Sequence, residues 1–300
     1  MHVRVLGAAA GGGFPQWNCS CTNCRRLRQC RLLGQPRSQT QLAISADDKS
    51  WYLVNASPDL RYQIEAFPPL HPRTFQLRDS PIAGLILPSA EVDAALGLLL
   101  LRESQPLTVY ATDAIRHILM SDNSMFHVLR RQPDQVRWVK LSSGTAFPLD
   151  DSGVECLPVT TSGRFPGFVA EHRASQLDSS EAVLGFFFCH GTRRFAFFPG
   201  VLHLKPEWLD HIQTCDAVFF DGTFWSDDEL IRLQGHGNTA RQMGHQPVAD
   251  TLRVLAGINT RKIFIHINNT NPILDEDSEE FRKVRDAGWE VAFDGMDLIL

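Results

Sequence analysis

Lys262-Ile-Phe-Ile-His266-Ile-Asn-Asn-Thr-Asn-Pro272 decides how this 300-residue chain folds. An apolar, strand-like run delivers one histidine to an Asn-rich loop. Ala217-Val-Phe-Phe-Asp221-Gly-Thr-Phe-Trp225 repeats the design with an aspartate. Backbone groups in such loops are not consumed by a sheet ladder, so side chains there can face a cleft. With Met243-Gly-His245 in a loop between them, the two strands point to a site assembled along one edge of a sheet.

Strand-like runs recur outward from this pair. They cover 3–6, 41–45, 51–54, 85–87, 108–111, 136–139, 154–159, 182–189, 193–198 and 289–293. Helices are expected between them. Ser57-Pro-Asp carries an N-cap serine with proline at the first helical position. Asp113, Lys205-Pro-Glu, Pro247 and Asp277 open others. Helices interspersed among many strands suit two mixed sheets packed face to face with helices outside. The fold class is therefore α/β, an αββα sandwich, in preference to a doubly wound parallel sheet. The length alone allows one large domain or two smaller ones. Thr160 to Ser180, with Gly, Pro, Arg and Ser, reads as a long irregular loop and a candidate lid.

Composition narrows the setting. Hydrophobic residues make up 43% of the chain, and a net charge of −5 offers nothing to nucleic acid or an anionic membrane. No apolar run approaches the roughly eighteen residues of a membrane span, and Ala94 to Leu101 is a buried helix face at most. The N-terminal Met1-His-Val-Arg-Val-Leu6 has no signal-peptide character, so a cytoplasmic location is expected. Seven cysteines, three of them crowded together, favour metal ligation over disulfides.

The crowded three are Cys19-Ser-Cys21-Thr-Asn-Cys24. Three thiolates within six residues can converge on one tetrahedral Zn²⁺, and a closed sulfur site of this kind staples a loop. Cys30 lies beyond a helical stretch, so a ligand from a distant loop is as good a fourth donor. His266 and Asn269 are the candidates. The glycines of Gly7-Ala-Ala-Ala-Gly-Gly-Gly13 do not match a dinucleotide fingerprint. They let backbone pass close to a metal or substrate instead. Glu91 and Asp93, in Leu87-Pro-Ser-Ala-Glu-Val-Asp-Ala94, either face the same site as Asp221, His245 and His266 or serve as charges at a helix N-terminus. Asn268, Asn269 and Asn271 suggest a supporting hydrogen-bond network.

Several of these segments together resemble the PqqB family of pyrroloquinoline quinone biosynthesis, within the metallo-β-lactamase superfamily. The resemblance is carried by 5–24 (Val-Leu-Gly-Ala-Ala-Ala-Gly-Gly-Gly-Phe-Pro-Gln-Trp-Asn-Cys-Ser-Cys-Thr-Asn-Cys) and by Asn55-Ala-Ser-Pro-Asp59. Asp221 to Glu229, Asn238 to His245, His266 to Glu276 and Asp294-Gly-Met296 extend it over nearly the whole chain. It implies one metallo-β-lactamase-type domain over 1–300 and a structural zinc on Cys19, Cys21 and Cys24. It also implies iron- and O₂-dependent hydroxylation of a tyrosine-type amino acid or peptide. Implied partners are that small substrate and proteins of the same pathway, with a homo-oligomer compatible.

The departure from the family matters as much. The superfamily's H-x-H-x-D-H maps onto Ser89-Ala-Glu91-Val-Asp93-Ala94, so the aspartate is present and its neighbouring histidine is alanine. Asp93, Asp221 and His266, with Glu91, remain as candidate Fe(II) ligands, a variation on two histidines and a carboxylate. His245 is the candidate general base or extra ligand. The competing expectation is a catalytically silent relative that binds a precursor or partner protein through the same cleft.

Overall fold

The structure, a computed structural model, describes every residue except Phe75 and Ser104. Its strands form two mixed sheets. In the first, β14 (Asp297–Ile299), β1 (His2–Gly7), β2 (Gln41–Ser45), β3 (Trp51–Val54), β4 (Ile82–Ile86), β5 (Leu107–Ala111) and β6 (Val136–Lys140) lie in that order. The second runs β13 (Trp289–Val291), β12 (Arg261–Ile265), β11 (Ala217–Asp221), β10 (Arg193–Phe198), β9 (Val183–His190), β8 (Glu155–Ser162) and β7 (Phe147–Pro148).

Side chains alternate across each strand, and both faces are apolar. Val5, Leu42, Val54 and Ile86 of the first sheet meet Phe186, Phe195, Phe219 and Ile263 of the second in one buried cluster. Their neighbours turn the other way. Ala43, Leu53, Leu85 and Val109 pack under α4 (Asp113–Met120) through Ile115, Ile118 and Leu119. Phe198, Val218, Phe220 and Phe264 pack under α6 (Pro206–Gln213) and α8 (Val248–Val254). Each buried Phe or Leu contributes about 1.5–3 kcal/mol. The αββα sandwich of the metallo-β-lactamase type is what forms.

Pairing places the site. Strands β10, β11, β12 and β13 are mutually parallel, and Asp221 pairs with Ile265, the residue before His266. Their carboxyl ends open at one edge, where loops are free of the ladder. β4 is parallel to β3 and β5, and its end leads to Glu91 and Asp93. Ala9 bridges both Gln39 and Ile267, so the Gly-rich loop after β1 closes against the loop after β12.

Several local expectations are corrected. The helix after Ser57 is α2 (Leu60–Glu65), with Asp59 at its N-cap. The Ser57 hydroxyl accepts the Asp59 N–H instead, a local turn that competes with capping. The Thr160 to Ser180 loop is not irregular throughout. β8 continues through Ser162, and α5 (Glu171–Ala174) and a 3₁₀ turn (Ser179–Glu181) interrupt the rest. Ala94 to Leu101 is not a single helix face, because α3 (Val92–Ala95) hands over to a 3₁₀ helix (Leu96–Leu101). The short edge strands β7 and β14 were too brief for a periodic signal. Among the described residues, no helix is long and apolar enough to cross a membrane.

Candidate active site and metal centres

Asp221, last residue of β11, is fully buried, and all its acceptor positions face donors. Val201 N–H reaches Oδ2 at 2.9 Å and His245 Nδ1 reaches the same oxygen at 2.8 Å. Thr223 supplies its N–H to Oδ1 at 3.0 Å, and its hydroxyl lies 2.6 Å from that oxygen. Burial would raise this carboxyl. The charge and hydrogen bond of His245, then His266 and Thr223, outweigh it and hold Asp221 below the usual carboxylate range.

Gly222 makes the turn that follows. Its N–H bonds Ile265 O at 2.7 Å, and a Cβ there would come within 3.0 Å of that same oxygen. Glycine therefore keeps β11 and β12 close beyond the ladder, and Thr223 lands between two histidines. Its Oγ1 lies 2.9 Å from His266 Nδ1, 2.9 Å from the His266 carbonyl and 3.1 Å from His245 Nδ1.

His266 sits one residue past β12 with φ +58°, a left-handed turn that swings its ring off the sheet. Nε2 lies 3.1 Å from Asp93 Oδ2. The Thr223 hydroxyl has one proton, and the short contact to Asp221 takes it, so it accepts from His266 Nδ1–H. Nε2 of a neutral His266 would then face a carboxylate as acceptor against acceptor. A proton or a cation must lie between them. Burial opposes charge on His266, yet the hydrogen bond and charge of Asp93, with Asp221 and Glu91, raise its pKa above the ordinary value. Asp93 is reciprocally held low by His266 and His245 against the effect of burial. Two ligands about 2.1 Å from one metal at right angles stand roughly 3 Å apart. The Asp93–His266 spacing therefore fits a shared cation.

Asp221, His245 and His266 also converge, with one ligand-type atom from each within 4.8 Å of the others. The two rings stack at 5.5 Å between centroids. Nε2 of His245 has no hydrogen-bond partner among the described residues, since its contacts run through Nδ1. Both histidines, Asp93, Glu91, Ala94 and Thr223 line one cavity of ≈570 Å³. Gly11 and Gly12 of the first loop close its other side. Burial, then Asp93, raises the Glu91 carboxyl, while Arg164, His245 and His266 pull it back. Of the two readings of Glu91 and Asp93, the cavity position applies to both. Glu91 makes no side-chain capping bond, and Asp93 also lies in the first turn of α3.

The sulfur site is separate and adjoins the same loop. Cys19, Cys21 and Cys24 bring their sulfurs within 4.8 Å of one another at the start of α1 (Thr22–Arg28). The buried Asn269 carboxamide faces all three, with Nδ2 3.1 Å from Cys19 Sγ, 3.4 Å from Cys24 Sγ and 3.7 Å from Cys21 Sγ. Asn23 Nδ2 donates to the carbonyls of Asn269 and Asn271 at 3.2 and 2.9 Å. Burial pushes the Cys21 thiol up to about 12, with Cys19 and Cys24 adding to the rise. A divalent cation removes that cost by replacing the protons. The donor set and its convergence fit zinc. Cys30 is exposed and stands apart from the trio. His266 is not a neighbour of the sulfurs, because Thr223 and Asp93 hold its two nitrogens. Of the two candidates for a fourth donor, Asn269 is the one whose side chain lies against the sulfurs.

The asparagines differ in task. Asn269 serves the sulfurs, Asn271 donates to Gly222 O and accepts from Ile273 N–H, and Asn268 donates to Thr270. Sequence reasoning assigned Thr223 no role. Its position two residues after Asp221 was the available signal.

The chain is similar to known proteins over its whole length. The β-lactamase superfamily domain matches residues 50–267. Coenzyme PQQ synthesis protein B of Methylococcus capsulatus is 38% identical over 308 residues, with all of both chains covered. Its counterpart in Gluconacetobacter diazotrophicus is 41% identical, covering 99% of this chain and 98% of the relative. The crystal structure of Zn²⁺-bound PqqB from Methylobacterium extorquens superposes with a TM-score of 0.91 at 38% identity, over 100% of both chains.

Proposed function

The chain belongs to the coenzyme PQQ synthesis protein B family of the β-lactamase superfamily, and from this premise we propose that it serves coenzyme PQQ synthesis as a metalloprotein. Its reaction is the iron- and O₂-dependent hydroxylation of a tyrosine-type amino acid or peptide, in which one oxygen atom enters the substrate and the other leaves as water with two electrons and two protons from an external reductant. The observation that supports this reading is the Asp93–His266 contact at 3.1 Å, the spacing of two ligands of one metal.

Asp93 and His266 would hold the iron, with Glu91 as a further oxygen donor in the same cavity. An iron(II) ion there would supply the activation of O₂. The protein's own groups have distinct tasks. Asp221 already spends its oxygens on Val201, Thr223 and His245, so it orients the His245 ring and stabilises it when protonated. His245, with Nε2 free, takes the phenolic proton of the substrate. Thr223 keeps His266 Nε2 turned towards Asp93. Cys19, Cys21 and Cys24 would hold the zinc. A half-turn of the Asn269 carboxamide exchanges its nitrogen for its oxygen and offers the fourth donor.

Ala94 favours a second reading, a relative that binds or carries a precursor without transforming it. Elemental analysis of protein purified without oxygen separates the two. One zinc and one iron per chain, with iron alone lost in Asp93→Ala, supports the enzyme. One zinc and no iron, with none taken up on titration, overturns it in favour of the carrier.

A further inference from the structure

Among the described residues, the cavity that holds Asp93, His245 and His266 has a single lysine or arginine in its lining, Arg164. Its backbone is fixed on both sides. Ser162, buried at the end of β8, accepts the Arg164 N–H on its hydroxyl at 3.3 Å, and Phe165 packs against the core under the first sheet. The side chain itself is exposed and makes no hydrogen bond or ion pair among the described residues, although Glu91 and Asp93 line the same space.

The stem of Arg164 rises beside the loop that carries His245. A Cβ on Gly244 would lie 3.9 Å from Arg164 Cδ and 3.5 Å from Ser162 Oγ, and Gly244 holds φ +91°, which favours glycine. The Arg164 stem and His245 thus meet across one residue. A guanidinium held out on a firm backbone, unpaired and facing a concave site, presents a fork that matches a carboxylate with two parallel hydrogen bonds.

We propose that Arg164 is a specificity residue that anchors a carboxylate of the substrate, setting the aromatic ring against His245 and the Asp93–His266 pair. This rests on the reading of the cavity as an amino-acid or peptide site, and it narrows that class to molecules with a free carboxylate placed to reach Arg164. Amidated or decarboxylated analogues are then poor ligands.

N-acetyl-L-tyrosine and N-acetyl-L-tyrosinamide are suitable probes, because they differ only in that charge. Titrated calorimetrically into the protein as purified, the acid should bind roughly 10- to 100-fold tighter than the amide, the range of a charge-assisted hydrogen bond. Added salt should shrink the preference, since the guanidinium is exposed. Arg164→Met should abolish it while leaving affinity for the amide, metal content and melting temperature unchanged. Arg164→Lys should keep part, retaining the charge but not the fork. Failure of the acid to bind, equal binding of both probes by the wild type, a preference that survives in Arg164→Met, or loss of both probes alike in that variant overturns the anchor. Failure of the iron reading shows instead in metal content, which this comparison does not involve.

Discussion

Asn269 touches the sulfur of Cys19 at 3.1 Å while standing three residues from His266. One loop therefore serves two centres. Its amide end closes the cysteine cluster, and its first residue enters the cavity. Loosening the cluster should be felt at His266.

Cys21→Ser should lose stoichiometric zinc and melt at lower temperature, because the metal's binding free energy is available only to the folded chain. A loss of about 2 kcal/mol lowers the midpoint of a 300-residue domain by roughly 3 °C. Metal analysis and a thermal melt check both. A variant that retains zinc and its melting temperature refutes the assignment.

Thr223→Val removes the hydroxyl that joins Asp221, His245 and His266 without changing the side chain's shape. Affinity for Fe²⁺ should fall about 10- to 100-fold, as for other groups that orient a metal ligand. Thr223→Ser should restore most of it. Anaerobic titration of the three proteins is the measurement, and equal affinities in all of them would show that the hydroxyl does not orient the histidines.

Ala94→His places an imidazole at a buried position that lines the cavity beside Asp93. Fe²⁺ binding should tighten by more than about tenfold, because a ligand in direct contact outweighs an orienting one. The same anaerobic titration decides it. No change would mean that residue 94 cannot reach the metal.

Glu229, which accepts a hydrogen bond from Thr270 in the loop that serves both centres, gives stability a pH dependence of its own. Burial raises its carboxyl from 4.5 to about 7, against the hydrogen bonds of Thr270 and Trp225. The folded chain thus binds a proton that the unfolded chain has already lost. The contribution is fully present below about pH 4.5 and lost as pH rises through about 7, at most about 3 kcal/mol. Glu229→Gln should flatten that fall, leaving a melting temperature at pH 8 equal to or above the wild type's. Melts between pH 5 and 8 test it. An unchanged slope would place the titration elsewhere.

Much of this was legible in the chain itself. Apolar runs such as Ala217 to Phe220 and Ile263 to Ile265 declare buried strands, because only a covered sheet tolerates that many adjacent apolar side chains. Polar residues set at their ends, Asp221 and His266, point to a site, and the three cysteines within six residues that point to a metal do converge. Those are local patterns, and local patterns survive in one dimension.

The tertiary structure decided which of those residues meet. Asp93 and His266 are 173 positions apart, and Asn269 is 250 from Cys19. No spacing rule reaches across such distances. The parallel register of β11 with β12 brought Asp221 beside His266, and the closing of the Gly-rich loop on Ile267 brought the cysteines to Asn269. The same packing surrounded the Asp221 oxygens with backbone and side-chain donors. Thr223 took its role for the same reason. A hydroxyl is informative only through its neighbours, and folding alone supplies them.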